Sequence, residues 1–328
     1  MMLYNLFMKY FIYSLLIFLT ISSLFFYDIL IIWLLLEITN FLFICLLIIS
    51  TKDKKMIFFY FIIQIIPSFL MIYSIIMNNI FFTNNYFYFI MLMSLMIKLS
   101  LPPFHLWLPI ISKYLNWNNL FLMLTLQKIS PFYMLSLFKL NSFISSMILI
   151  LCAIIPPYMM FNLNNFKILM AYSSINQSGW MMLLIYLKNI VWFKYFLFYS
   201  FINMSLFILF HMLKNNFTFI NNMSNFKINL FSIIFILNLA GMPPFSFFYM
   251  KWYMTFLIIF NSHHIFILMM LMISSLFMLY IYTNMIMITF YIFKLQSKLY
   301  MKSFMPLTNK LNIIFTMSLT FSVYILIM

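Results

Sequence analysis

The sequence contains no arginine and little acid. All eighteen basic residues are lysine, three residues are acidic, and the formal net charge is +15. Proteins that bind nucleic acids usually gather Arg and Lys on one folded surface. Here the lysines are scattered between apolar runs. The positive charge therefore does not indicate a nucleic-acid partner.

Glycine, cysteine and histidine are scarce too. Two glycines in 328 residues are too few for a glycine-rich phosphate loop. Both cysteines, Cys45 and Cys152, fall inside apolar runs, so we expect packed thiols rather than a disulfide framework or a metal site. The four histidines offer no credible ligand set: His105, His211, His263 and His264. With no nucleotide, flavin or iron–sulfur site in view, we expect no cofactor bound by this chain.

Long apolar runs fill the rest of the chain. The sequence is 67% hydrophobic, with a mean hydropathy of +1.11, and about 20 apolar residues cross a bilayer as a helix. We predict an all-α polytopic membrane protein with one transmembrane domain over residues 1–328. No small-residue cleavage site follows the first run, so we interpret that run as a span rather than a signal. Eleven spans are expected, at about 8–26, 29–50, 56–77, 86–108, 120–138, 142–161, 168–187, 192–212, 228–260, 265–290 and 311–327.

The lysines predict an orientation. Twelve of them, Lys167 included, fall on the side of the N-terminus and three on the other side, which places the N-terminus in the matrix or cytoplasm. Abundant Phe, Ile, Asn, Lys and Tyr match AT-rich codons, and 33 methionines indicate an organellar genetic code. We therefore expect an organelle-encoded membrane protein whose C-terminus faces the compartment opposite the N-terminus.

A short motif occurs twice. Leu101-Pro102-Pro103-Phe104 interrupts the fourth predicted span, and Met242-Pro243-Pro244-Phe245 interrupts the ninth. The ninth run is too long for one helix, and proline breaks helices, so we expect one crossing made of two half-helices. Five spans separate the motifs, which predicts two inverted repeats, about 8–138 and 142–290, before a C-terminal helix at 311–327. Interrupted helices at matching positions of two repeats mark the working site of many transporters.

Four ionisable side chains lie well inside apolar runs: Glu37, Lys98, Lys128 and Lys251. A charge near the bilayer centre costs about 2.5 kcal/mol or more, so such residues usually face a protein interior or a wet cavity. One acid and three lysines suggest proton handling. Three alternatives stay open: a protonated Glu37 in a structural hydrogen bond, a Lys98 that reaches the interface, and a Lys251 that marks the interface together with Trp252.

The most polar stretch inside any predicted span runs from Tyr172 to Trp180 and includes Ser173, Ser174 and Gln177. Its hydroxyls and amides can carry a water chain between titratable groups, or they can simply join helices by hydrogen bonds. His105 follows the first proline pair, where it can relay a proton or cap the broken helix.

These motifs together resemble those of the antiporter-like membrane subunits of respiratory complex I. The matching segments occur in the same order: Leu36-Glu37-Ile38, Lys98 to Pro109, Gln127-Lys128-Ile129-Ser130-Pro131, Ala171 to Trp180, and Gly241 to Trp252. Together they extend from about residue 29 to 260. Each motif alone is weak, and their combination is specific.

The resemblance implies an antiporter-like fold of two inverted five-helix repeats and a role for each buried charge. Glu37 would pair with Lys98, and Lys128 and Lys251 would continue a hydrated axis, supported by His105, Ser173, Ser174 and the prolines Pro103 and Pro244. It also implies other membrane-arm subunits and lipids, cardiolipin among them, as partners, with NADH, FMN, iron–sulfur clusters and ubiquinone in other subunits. The chain departs from the family at Gln177, where a histidine is usual, at Leu126, at Phe247 and at Met250.

The expected function is therefore that of a core subunit of NADH:ubiquinone reductase, coupling electron transfer elsewhere to proton translocation. Two alternatives remain open at this point. One is a stand-alone cation/proton antiporter of related fold, and the other is a scaffold of the membrane arm whose buried charges are structural.

Overall fold

A computed structural model describes residues 2–81, 85–138, 141–161, 163, 165–187, 190–212, 226–243, 245–259 and 264–297, and no strand occurs among them. A short 3₁₀ turn, Ser23–Phe25, follows the first helix. The α-helices are α1 Met2–Ser22, α2 Ile29–Ser50, α3 Lys54–Phe81, α4 Asn85–Leu99, α5 Trp107–Tyr114, α6 Trp117–Leu124, α7 Leu126–Leu137, α8 Ser142–Met160, α9 Phe166–Tyr186, α10 Val191–Met212, α11 Phe226–Ala240, α12 Ser246–Ile259 and α13 Ile265–Ser297.

Seven segments of the described chain are long and apolar enough to cross a membrane: Phe7–Phe25, Ile29–Ser50, Lys54–Asn78, Trp117–Leu137, Ser142–Met160, Val191–His211 and Ile265–Met287. Two further predicted crossings, 86–108 and 228–260, are each divided into shorter helices. The predicted span 168–187 corresponds to α9, which has the length but carries the polar stretch, and 311–327 lies outside the described residues. The chain is thus a multi-pass helical membrane protein, and the count of eleven spans stays a prediction.

The chain divides into two compact units, an N-terminal unit, Met1–Ser142, and a C-terminal unit, Phe143–Met328. In the N-terminal unit one face of α2 packs inward, through residues such as Leu36, Asn40, Phe43 and Leu47. Cys45 lies on the opposite face and is exposed. The expectation that both cysteines are packed is therefore wrong for Cys45 and holds for the buried Cys152.

The C-terminal unit is built around α9, which is buried along almost its whole length. Gly179 explains how another helix comes so near: a Cβ on this residue would lie 2.9 Å from the Cβ of Cys152 in α8. Lys167, which the orientation count placed in a loop, lies in the first turn of α9 and is buried. That lysine is therefore a poor marker of a membrane side.

Both proline motifs end a helix with the same backbone pattern. Ser100 and Gly241 occupy equivalent positions and have φ values of 56° and 82°, in the left-handed region that terminates helices. The next amide reaches back five residues in each case, from Leu101 to the Met96 carbonyl at 2.9 Å and from Met242 to the Leu237 carbonyl at 3.3 Å. The two predicted helix breaks are thus present, at matching points of the repeated motif.

A third interruption was not predicted. The expected span 120–138 is divided at Thr125, whose φ and ψ are −119° and −80°, between α6 and α7. The Thr125 carbonyl then accepts from the Lys128 amide at 2.9 Å. Because neither glycine nor proline stands at the interruption, the sequence carries no ordinary signal for it. Its effect is to place Lys128 in the first turn of α7.

Candidate functional site: a buried ion pair and a lysine-lined cavity

The central feature of the N-terminal unit is an ion pair between α2 and α4. The Lys98 ammonium donates to Glu37 Oε1 at 2.7 Å. The Lys98 side chain is 1% exposed and that of Glu37 is 16% exposed. A lysine that reached the membrane interface would keep its ammonium in water. Lys98 instead lies in the interior of the unit, in the last turn before the first helix break.

Lys98 also lines a small cavity that it shares with Lys128. The cavity has a volume of about 10 Å³, close to the smallest space that accepts one water molecule. Its wall is formed by Leu36, Asn40, Tyr60, Gln64, Lys98, Trp107, Leu108, Met123, Gln127, Lys128 and Pro131. Two of the predicted lysines are therefore brought to one polar cavity.

The polar wall of this cavity comes mostly from residues that the sequence analysis did not select. Asn40, Gln64 and Tyr60 are all buried, and Asn40 Nδ2 has no hydrogen-bond partner within the described chain. Such an amide favours an ordered water in the cavity. An amide in the middle of an apolar span was the available signal: Asn40 lies one turn from Glu37, and Gln64 lies at the centre of α3.

Neighbouring contacts hold the lysines in place. Gln127 Nε2 donates to the Thr39 carbonyl at 3.4 Å, which joins α7 to α2. The Trp107 indole donates to the Ile97 carbonyl at 3.0 Å and so fastens α5 to the end of α4. Tyr60 packs beside Trp107, with ring centroids 6.2 Å apart.

The residues predicted to support the first break lie close to it. Pro103 is exposed, and its carbonyl lies 3.2 Å from Nδ1 of the buried His105. The His105 carbonyl accepts from the Leu108 amide at 3.3 Å, in the turn that starts α5. Pro244, the corresponding residue of the second motif, lies outside the described residues.

Lys251 is buried in the C-terminal unit and is only 5% exposed, whereas the adjacent Trp252 is 63% exposed. Its ammonium lies 5.3 Å above the ring of Phe247. It also reaches back to the helix break, because a Cβ on Gly241 would lie 3.3 Å from its Nζ. Burial at the break disfavours the alternative of an interfacial Lys–Trp pair.

Asn238 fastens the two halves of the second break. Its Oδ1 accepts from the Phe247 amide at 3.0 Å and from the Ser246 hydroxyl at 3.1 Å, and the residue is fully buried. The first turn of α12 thus receives its cap from the last turn of α11. This contact places Phe247, and the ring below Lys251, relative to Gly241.

The polar stretch of α9 forms hydrogen bonds both to neighbouring helices and within its own helix. The Tyr195 hydroxyl of α10 donates to Gln177 Oε1, and Ser274 of α13 donates to Asn176 Oδ1 at 3.1 Å. Ser173 and Ser174 donate to carbonyls of their own helix, at 2.8 and 2.6 Å. Tyr195 in turn packs against Phe247, with ring centroids 5.3 Å apart. Gln177 is therefore linked through Tyr195 to Phe247, the residue whose ring lies below the Lys251 ammonium.

None of Tyr195, Asn203 and Ser274 stands out in the sequence, because polar residues are scattered through the apolar helices α10 and α13 without forming a motif. Asn203 is fully buried. The described residues contain no group of three or more His, Cys, Asp or Glu side chains that could hold a metal ion. The arrangement suits proton exchange among lysines, a carboxylate, amides and water.

The fold and the sequence together define a family. Residues 27–278 match the family described as NADH:quinone oxidoreductase/Mrp antiporter, transmembrane. Because the match covers most of the chain, the protein belongs to this family of multi-pass membrane proteins. The resemblance that the motifs indicated is confirmed.

Among curated proteins, the chain is similar to NADH-ubiquinone oxidoreductase chain 2 of two insects. It is 34% identical to that of Anopheles gambiae over 229 residues, which cover 68% of this chain and 64% of the relative. It is 36% identical to that of Aedes aegypti over 160 residues, covering 48% and 47%. The matches thus span about half to two thirds of these relatives.

Among solved structures, the chain superposes on a chain of respiratory complex I from Thermus thermophilus with bound aureothin. The TM-score is 0.78 at 17% identity, over 96% of this chain and 77% of the other. At that identity the likeness concerns the fold alone. It confirms the expectation of an antiporter-like, all-α membrane fold.

Proposed function

We propose that this chain is a core membrane subunit of respiratory complex I. In this proposal, electron transfer from NADH to ubiquinone takes place in other subunits and drives proton translocation through the buried Glu and Lys residues of this one. The carrying observation is the position of Lys98, which is ion-paired with Glu37 on one side and lines a cavity with Lys128 on the other.

This geometry supports a switch. Coulomb attraction weakens as charges separate, so a small displacement of the Glu37 carboxylate releases the Lys98 proton more easily. Water in the shared cavity can carry that proton toward Lys128. We assign Glu37 and Lys98 as the modulating pair, Lys128 as the central relay and Lys251, in the other unit, as the terminal exchange site. His105, Gln177, Ser173, Ser174, Pro103 and Pro244 are assigned supporting roles.

The proposal also covers the membrane, the orientation and the partners of the chain. The chain would lie in the mitochondrial inner membrane, with its N-terminus in the matrix and its C-terminus in the intermembrane space. Neighbouring membrane-arm subunits and lipids, cardiolipin included, would contact it. The redox cofactors, NADH, FMN, iron–sulfur clusters and ubiquinone, would be bound by other subunits.

The test replaces Lys98 by alanine in the assembled complex and measures protons pumped per NADH oxidised in sealed vesicles. The matched control is Lys113→Ala, because Lys113 is exposed in α5. We expect Lys98→Ala to lower NADH-driven proton pumping by about 10²-fold, the lower end of what a positioned proton-transfer group contributes. Lys113→Ala should leave proton pumping unchanged. Full pumping in Lys98→Ala would refute the assignment. If all four charges could be neutralised without loss, the chain would be a scaffold.

The antiporter alternative has one observation in its favour, since the matching family description also names Mrp antiporters. A native gel separates the two functions. A complex I subunit migrates within a very large assembly that oxidises NADH, whereas an autonomous antiporter migrates as the single chain.

A further inference from the structure

A second, larger pocket lies in the N-terminal unit, between the ends of α2, α3, α4 and α7. Its volume is about 400 Å³, within the range of about 300–1,000 Å³ typical of small-molecule sites. Its wall includes Asp28, Ile31, Asn78, Tyr88, Met91 and Phe138. None of the residues assigned to proton transfer lines it, so it is independent of the proposed function.

The apolar segments place this pocket at one membrane boundary. Asp28 directly precedes the segment Ile29–Ser50, and Asn78 lies in the last turn of α3, which ends at Phe81. Phe138 directly follows Trp117–Leu137. Ile31 and Met91 lie about one turn further into their apolar helices. The pocket therefore has a polar end at the boundary and an apolar end directed into the membrane.

The polar end offers hydrogen-bond acceptors. Asp28 occupies the N-cap position of α2, where an aspartate ordinarily accepts from the first helical amides, yet its side chain makes no such bond. Within the described chain no lysine forms an ion pair with it. Asn78 Oδ1 is buried and likewise has no hydrogen-bond partner there. Both groups are free to bind a donor.

The remaining wall is apolar and aromatic. Tyr88 and Phe138 meet edge to face across α4 and α7, with ring centroids 6.2 Å apart. Among the residues of the wall that the structure describes, Asp28 is the one that carries a charge. On this described part of the wall, an anionic amphiphile would meet a carboxylate and no lysine. A phospholipid would bring its phosphate to the same place.

We propose that this pocket binds a hydrophobic amine, with its ammonium group at Asp28 and Asn78 and its apolar body between Ile31, Tyr88, Met91 and Phe138. An ammonium supplies three donors and a positive charge, which suits a carboxylate and an amide oxygen. Burial of the apolar body contributes the remaining affinity.

The test uses the assembled complex in lipid nanodiscs and a photoreactive dodecylamine, with the photoreactive dodecanol of the same length as the neutral probe. Labelled peptides are mapped by mass spectrometry. We expect the amine to label peptides that contain Ile31 and Met91, and Asp28→Asn to reduce this labelling about tenfold, equal to about 1.4 kcal/mol. Labelling by the alcohol should stay the same. Asp53→Asn, which removes an acid outside the pocket, should change neither.

A pocket-filling variant, Ile31→Trp, covers the case in which Asp28→Asn fails to assemble, and it should reduce labelling by the amine. Equal labelling by amine and alcohol, or full amine labelling in either variant, would overturn the proposal. Competition by phosphatidylethanolamine but not by unlabelled dodecylamine would also overturn it, because the pocket would then bind a phospholipid.

Discussion

The two helix breaks share a backbone but differ in how their lysine is held. Equivalent amides and carbonyls are bonded after α4 and after α11, and both helices end on a left-handed residue. In the N-terminal unit the lysine precedes the break and meets a carboxylate. In the C-terminal unit the lysine follows the break. The repeated motif therefore preserves the opened helix rather than the position of the charge.

The second lysine has no acid available within its own unit. All three acidic residues, Asp28, Glu37 and Asp53, precede residue 54, so the C-terminal unit contains none. Lys251 instead lies over the ring of Phe247 and beside Gly241. A ring face attracts a cation, and so does the C-terminal end of a helix such as α11. These weaker interactions replace the ion pair and leave no partner anion behind when the lysine is removed.

Removing each lysine tests this difference most directly. Lys98→Met leaves Glu37 unpaired in the interior of its unit, and losing one member of a buried pair costs about 3–5 kcal/mol. Lys251→Met leaves no carboxylate unpaired. We therefore expect Lys98→Met to lower the thermal midpoint of the assembled complex much more than Lys251→Met, as measured by native gels after graded heating.

The double variant Glu37→Gln/Lys98→Met is the control for that prediction. Replacing both members removes the unpaired charge, so we expect most of the lost stability to return while proton pumping stays low. If Lys98→Met and Lys251→Met lowered the midpoint equally, the contrast between a paired and an unpaired lysine would be wrong.

The next test concerns the side-chain hydrogen bond that joins the two helices at each break. Asn238→Leu removes the acceptor for the Phe247 amide and the Ser246 hydroxyl, and an unsatisfied buried group costs about 1–3 kcal/mol. Asn238→Asp keeps an acceptor oxygen and should retain more stability. In the N-terminal unit the corresponding contact is the Trp107 indole, so Trp107→Phe is expected to cost less, about 0.5–1.5 kcal/mol for one hydrogen bond. Thermal midpoints measure both effects, and equal losses would contradict the assignment of Asn238 as the principal fastening.

The two residues with left-handed backbone, Gly241 and Ser100, allow opposite substitutions to be compared. Gly241→Ala introduces a side chain where φ is 82°, which costs about 1–2 kcal/mol, and its Cβ would meet Lys251 Nζ at 3.3 Å. Ser100→Gly removes a side chain from a residue with φ of 56° and should be neutral or stabilising. We expect Gly241→Ala to lower both the thermal midpoint and proton pumping. A stabilising Gly241→Ala would show that the second break does not need a left-handed residue.

Sequence alone was sufficient for features that depend on local chemistry. The proline pairs predicted both breaks, and buried charge in apolar runs selected Lys98, Lys128 and Lys251. Thr125 was missed because no local signal marks it. A hydrated pocket beside Lys128 was expected, but its sharing with Lys98 and its lining by Asn40 and Gln64 were missed, because these residues come from different helices and only packing brings them together. The roles of these residues in proton transfer stay predictions.

The smallest expected effect concerns Gln177, which stands where the family usually has histidine. Its Oε1 accepts from the buried Tyr195 hydroxyl, and helix-to-helix hydrogen bonds of this kind contribute about 0.6 kcal/mol on average in membranes. Gln177→Leu and Tyr195→Phe should each lower the thermal midpoint slightly, and the double variant should lower it by less than their sum. If Gln177 serves only to orient Tyr195 below Phe247, both single variants should reduce pumping equally. A larger loss of pumping in Gln177→Leu than in Tyr195→Phe would mean that the amide helps to hold the water chain. The C-terminal unit would then depend on a polar relay, whereas the N-terminal unit depends on an ion pair.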